Sequence, residues 1–348
     1  MTTKLFEDIV RQPGRILESL RYTMDDGRVA LQRAAEILRQ SEFIYIVGMG
    51  ASWHAGMAMQ AIFQSQGRPA LLVDASEFLH FTEPPKNAAL IVLSRSGRST
   101  EIVKLLIKSK ARDAKIVGIT NTPDSPLALN ADVVLKLMTG FDHQVSVSMY
   151  TALAMTGGLL ACETNRTLND RLPTQLEASL RETSLAILPW REQFEGSGWL
   201  VADAPTYFLA RGESVASCYE ARLLWEEAAK APASALTTGG FRHGPQEIVD
   251  SNLRIGLWID GEKMRSQDLM LAGDLRQYGS KLCLIGQGLD AGAADVVVNI
   301  PRIPAPWQFL IDIFPMQIAA ECLSRCRGKD CDSFRICSYI VEEEGGLH

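Results

Sequence analysis

Residues 94–100, SRSGRST, place Ser94, Ser96, Ser99, Thr100, Arg95, Arg98 and Gly97 in one short stretch. An apolar run ends just before it at Leu93, and Ile102, Leu105 and Leu106 resume at helical spacing just after it. A strand followed by a helix is therefore expected, with the hydroxyls at the turn between them. Unpaired N–H groups and the dipole of a helix start favour an anion there. Serine hydroxyls add donors, and Gly97 lets the backbone approach closely. The stretch reads as a phosphate loop, the alternative being a Ser/Gly turn that only caps the helix. GMGASWHAG at 48–56 supplies Gly48, Gly50 and Ser52 after an earlier strand. Trp53 stands where the third glycine of G-x-G-x-x-G belongs, and no G-K-[ST] occurs. A monophosphate is expected rather than a dinucleotide or a nucleoside triphosphate.

The elements that must hold these loops are short apolar runs: FIYIVG at 43, ALLVDA at 70, ALIVLS at 89, KIVGIT at 115 and ADVVLKL at 131. Helical patterns separate them, which is the signature of βαβ units and a parallel sheet. The pattern then returns. YFLARGES at 207 echoes IYIVGMGAS at 44, LRIGLWID at 253 echoes NAALIVLS at 87, KLCLIG at 281 echoes KIVGIT, and ADVVVNI at 294 echoes ADVVLKL. The offsets all lie between 162 and 166 residues, too regular for chance similarity of strands. The expected fold is α/β, two tandem three-layer αβα domains, each around a roughly five-stranded parallel sheet. The expected boundaries are a helical segment at 1–34, a first domain at 35–164, a linker helix region at 165–195, a second domain at 196–328 and a tail at 329–348. The second copy carries DGEKMRS where the first carries SRSGRST, so the hydroxyl-rich loop occurs once.

The 348 residues carry a formal net charge of −6 and no basic tract, which argues against nucleic acid. No run of 18 apolar residues occurs, so no membrane span is expected, and Tyr150–Cys162 reads as a buried helix. The first stretch lacks the apolar core of a signal peptide. Seven cysteines, an odd number, then point to free thiols in a reducing compartment and a cytoplasmic chain. Cys322, Cys326, Cys331 and Cys337 fall close together but form no C-x-x-C pair, and the nearest histidine in sequence is His348. They read as packing residues. No metal and no cofactor are expected.

GMGASWHAG, SRSGRSTE, ASEF (75–78) and FRHGPQEIV (241–249) together resemble tandem sugar-isomerase (SIS) domain proteins. Among these are the isomerase half of glucosamine-6-phosphate synthase, aminosugar-phosphate deaminases and fructosamine-phosphate deglycases. The resemblance implies that Ser94, Ser96, Ser99 and Ser52 hold a sugar phosphate, joined by Arg95. Gly50, Ser148 and Arg335 are further candidate substrate contacts. It also implies roles for two titratable groups. Moving a carbonyl between C1 and C2 needs a base to shuttle a proton and an acid to open the ring. Glu227 in LLWEEAAK matches the family's proton shuttle. His243, in a glycine-flanked loop, matches the ring-opening group that reaches a neighbouring subunit's site, so a homodimer is expected. Glu226 points about 100° away from Glu227 on a helix, so only one of the two can serve.

Departures from the family pattern matter as much. Arg95 and Arg98 stand where the family often has Gln and Glu. Leu224 replaces a lysine, and Tyr339 takes the place of the lysine that forms a Schiff base with the ketose, while Arg335 matches. The chain opens directly on its first helix, without a glutaminase segment, so glutamine-dependent synthesis is not expected. The expected function is an enzyme that isomerises an amino or N-substituted 6-phosphosugar with deamination or deglycation. The alternatives are a plain aldose–ketose phosphosugar isomerase and a non-catalytic phosphosugar sensor. No helix-turn-helix precedes the first domain, which disfavours a DNA-binding regulator.

Overall fold

The computed structural model describes residues 2–110 and 113–347, so His348 lies outside the described residues. Two compact units divide the chain: Gly14–Asp142 with Ser146–Thr174 and Phe334–His348, and Met1–Pro13 with His143–Val145 and Gln175–Ser333. Each holds one sheet. Helix α1 (Lys4–Met24) opens the chain.

The first-sheet unit contains α2 (Arg28–Gln40), β1 (Phe43–Gly48), α3 (Ala51–Ser65), β2 (Leu71–Asp74), α4 (Ala75–Phe81), β3 (Ala88–Leu93), α5 (Thr100–Lys110), β4 (Lys115–Thr120), α6 (Pro126–Asn130), β5 (Val133–Lys136) and α7 (Ser148–Thr164). All pairings are parallel and the order is β2-β1-β3-β4-β5. The central strands are apolar on both faces, as a sheet covered by helices on each side requires. Tyr45, Val47, Leu90 and Val92 pack with Phe78 of α4, Ile102 and Leu105 of α5 and Leu127 of α6. Ile46 and Leu93, on the opposite face by the period of two, meet α3 at Gly56. Helix α7 is buried almost throughout, as its apolar sequence requires, and packs on α3 and α2. A Cβ at Gly157 would come 2.3 Å from the Met59 methyl, so a side chain there would have to displace the end of Met59.

The second-sheet unit begins with α8 (Arg171–Gly196), whose first residues group with the first sheet, and continues through β6 (Thr206–Ala210), α9 (Val215–Glu227), β7 (Ser234–Thr237), α10 (Thr238–Phe241), β8 (Arg254–Trp258), α11 (Arg265–Gln277), β9 (Lys281–Gly286), β10 (Val296–Asn299) and α12 (Phe314–Cys326). Read from the other edge, its order β7-β6-β8-β9-β10 is that of the first sheet. Leu209, Ile255, Leu257, Leu282 and Leu284 pack with Phe241, Ala272 and Leu275 on one face. Phe208 and Trp225 meet edge to face on the other, centroids 4.8 Å apart. Strand β7 is missing from the apolar runs of the sequence because SALT is short, hydroxyl-rich and at the sheet edge.

Two of the four clustered cysteines depart from the packing role expected of them. Cys322 and Cys331 are buried, but Cys326 and Cys337 are exposed, and all are free thiols. Among the described residues no group of three or more His, Cys, Asp or Glu stands together to hold a metal ion, and no helix is long and apolar enough to cross a membrane.

The start of α7 depends on one carboxylate. Asp142, buried, accepts hydrogen bonds from the N–H groups of Val147, Ser148 and Met149 at 2.9–3.1 Å and from Arg15 Nη1 at 3.2 Å. Asp142→Ala strands three helix-start donors and removes one partner of Arg15, so a loss of about 3 kcal/mol is expected in urea unfolding. Asp142→Asn keeps one acceptor oxygen and should lose less.

Candidate functional site

In the first sheet β1 is flanked by β2 on one side and β3 on the other, so the chain reverses its direction of travel across the sheet between β1 and β3. That reversal opens a crevice beyond the carboxyl ends of the two strands, where ligands of open α/β sheets bind. Val47 stands opposite Val92, so the loops after Gly48 and Leu93 leave side by side. The structure thus brings Gly50, Ser52, Ser94, Ser96 and Ser99 to one edge, at the N-terminal ends of α3 and α5. Gly50 precedes α3 at φ +50, a conformation that suits glycine, and its carbonyl accepts the His54 N–H.

The 94–99 loop is held rigidly. Ser94 Oγ accepts from Gly97 N at 3.0 Å, and Ser96 Oγ accepts from Arg98 N at 3.2 Å. Gly97 lies at φ +62, and a Cβ there would fall 2.3 Å from Ser125 Oγ, so neither the angle nor the space admits another residue. Arg95 O accepts from Thr120 Oγ1, Thr122 Oγ1 and Asn121 N. Among the described residues the hydroxyl hydrogens of Ser52, Ser94, Ser96 and Ser99 are donated to no acceptor. Four unspent donors beside two helix starts make an anion cradle.

The two arginines part company. Arg98 is exposed and meets Asp124, its Nη2 3.4 Å from the carboxylate. The Arg95 guanidinium carbon lies 3.9 Å from the Tyr339 ring centroid, and Nη2 donates to Tyr339 O at 2.8 Å. Ser148 is the buried first residue of α7, its Oγ accepting from Arg15 Nη1 at 3.4 Å. Arg335 is exposed and has no hydrogen-bond or ionic partner among the described residues.

Glu227 and His243 belong to the second-sheet unit. Glu227 is the last residue of α9 and half-buried, whereas Glu226 is exposed and pairs with Arg222 at 3.2 Å. The helix geometry thus divides the adjacent acids as expected. Lys230, in the left-handed region at φ +52, turns its ammonium back onto Glu227 O at 2.6 Å. The same ammonium donates to Asp330 O and Ser333 O, both at 2.8 Å. A cation on the last carbonyls of a helix is favourable, and this one fixes the turn that carries Glu227. His243 is exposed, in the turn between α10 and Gly244 at φ +125.

Sequence reasoning missed two buried acids and one half-buried acid in this unit. Burial pushes Glu220, two turns before Glu227 on α9, well above the usual carboxylate range, and burial also raises Glu213. Asp312 accepts from Ser214 Oγ at 2.6 Å and from Ser217 Oγ, yet complete burial pushes it up from 3.8 to about 7. The signal for Asp312 was an acid inside the apolar run FLIDIFP.

Residues 37–162, which hold the first sheet and its serine loops, match the SIS domain model. They are a SIS domain. The glutamine–fructose-6-phosphate aminotransferase (isomerizing) of Gloeobacter violaceus is 25% identical over 98% of the chain, which spans 58% of that relative's length. Around the SIS domain the whole chain follows a known fold. The C-terminal domain of glucosamine-fructose-6-phosphate aminotransferase from Francisella tularensis superposes with TM-score 0.84, at 20% identity over 96% of this chain and 99% of that one. Glucosamine-6-phosphate deaminase from Thermotoga maritima gives TM-score 0.80, at 17% identity over 98% and 100%. The SIS domain is the part that carries the unspent serine donors.

Because Asp312 binds its proton more tightly folded than unfolded, the folded chain is destabilised as that proton is lost. Stability is expected to fall by a few kcal/mol as pH rises from about 4 to about 7. Chemical denaturation across that range checks this, and Asp312→Asn should flatten the slope.

Proposed function

We propose that the chain is an enzyme acting on a 6-phosphosugar that carries nitrogen at C1 or C2, coupling isomerisation to deamination or deglycation. The observation that carries this reading is the set of four serine hydroxyls without an acceptor, at the strand-order reversal of a SIS domain. A sugar phosphate fits that cradle, and the deaminase from Thermotoga maritima, by its name, acts on an aminosugar phosphate.

In this reading Ser52, Ser94, Ser96 and Ser99 hold the phosphate and Glu227 shuttles the proton. With a 2-amino aldose, the glutamate takes the C2 proton and returns it to C1, leaving a C2 imine. Water adds to that imine and ammonia leaves, giving the ketose. With a 1-amino ketose the transfer runs from C1 to C2, and water hydrolyses a C1 imine to aldose and amine. A substrate that brings its own nitrogen needs no lysine Schiff base, which suits Tyr339 in that lysine's place. His243 opens the sugar ring, and its exposed turn completes the site of a second copy in a homodimer. Residues 329–348 form the tail that closes the site.

Assay of a panel of 6-phosphosugars for ammonia, amine and ketose tests the reading. Ser96→Ala with Ser99→Ala should weaken substrate binding by about 1–3 kcal/mol for each lost charge-assisted bond. Glu227→Gln should cost about 10²–10⁴-fold in turnover with binding retained, the size typical of a positioned base. His243→Asn should spare open-chain substrate analogues. Near-normal turnover in Glu227→Gln would remove the carboxylate from the mechanism.

A further inference from the structure

Residues 339–344 belong to no helix or strand, yet four separate groups of the first-sheet unit hold them. Arg95 stacks on the Tyr339 ring and donates to its carbonyl. Thr100 N, the first N–H of α5, donates to Val341 O at 3.1 Å. The Glu344 carboxylate meets Lys104 Nζ at 2.6 Å and His80 Nε2 at 3.2 Å. The segment therefore lies along the 94–99 loop and the first turns of α5.

Arg95 is the one side chain of the loop that touches this segment through its charged group. Its main chain is pinned by three donors from residues 120–122, so the side chain leaves from a fixed point. Only Nη2 is engaged; among the described residues Nε and Nη1 donate to nothing. A guanidinium has two donor edges and two faces, and here one face and one N–H serve Tyr339. The remaining edge can bond an anion in the cradle without releasing the tyrosine. An anion held there by charge-assisted bonds would remove the rotamer freedom of the side chain on which Tyr339 rests.

We propose that Arg95 is a positioning residue that links anion occupancy of the 94–99 loop to the seating of residues 339–344. The proposal rests on the phosphate reading of the loop, and it adds that phosphate and tail bind cooperatively through one guanidinium. Coupling between two sites is reciprocal, so the factor by which phosphate tightens the tail is the factor by which the seated tail tightens phosphate.

Amide hydrogen exchange of residues 337–345, with and without saturating inorganic phosphate, tests it. In the wild type phosphate should slow exchange of these amides about tenfold, within the usual range of site-to-site coupling. Arg95→Gln should abolish the slowing. Tyr339→Ala, which leaves the loop and the main-chain acceptor in place but removes the stacked ring, should reduce it and weaken phosphate binding by the factor that the coupling loses, read in calorimetry. Tyr339→Phe keeps the ring and the carbonyl, so the slowing should persist. Phosphate that binds the wild type without slowing exchange, or slows it equally in Arg95→Gln, overturns the coupling but leaves the phosphate site standing. Absence of any phosphate binding to the wild type overturns the loop assignment and the coupling with it.

Discussion

Parallel strands place all their carboxyl ends on one edge, and each connecting helix then starts at that edge with its first N–H groups unpaired. The candidate site of the first-sheet unit follows from where those starts collect. Between β1 and β3 the strand order reverses, so two loops and two helix starts face one crevice with no crossover to fill it. The apolar runs of the strands are what make the arrangement stable, because helices cover both faces of the sheet. The crevice itself is polar because the loops that reach it are short and rich in serine.

Rigidity of the loop matters as much as its composition. Ser94 and Ser96 each accept a main-chain N–H and keep their own hydrogens, so the loop is stabilised by the oxygen atoms and leaves the donors outstanding. Gly97 makes this possible by taking a positive φ where Ser125 leaves no room for a side chain. A cradle fixed before its ligand arrives loses little freedom on binding.

The second sheet has the same strand order and a different occupant at the corresponding edge. There Asp268 accepts from Arg211 Nε at 2.6 Å and from Asp260 N at 3.1 Å, and Asp312 takes the hydroxyls of Ser214 and Ser217. There built-in carboxylates take up the donors at the strand ends, whereas in the first sheet the serines leave theirs open. One topology thus supports an open anion cradle in one unit and a closed polar cluster in the other.

Local pattern alone carried the strands, their parallel pairing and the serine loop, since burial on both faces and turn chemistry leave a direct imprint on residue order. Nine of the ten strands overlap apolar runs visible in the chain; only the short edge strand β7 left no such trace. The separation of Glu226 from Glu227 on α9 was likewise legible, because helical geometry alone turns adjacent side chains apart. Tertiary structure decided what depends on distant partners. Arg95 and Tyr339 are 244 residues apart in sequence, and no pattern announces that one lies on the other. Asp312 is a lone acid within an apolar run of the sequence, and folding places Ser214 and Ser217 against it. Burial, which raises its proton affinity, is a property of the packed chain and of no single segment.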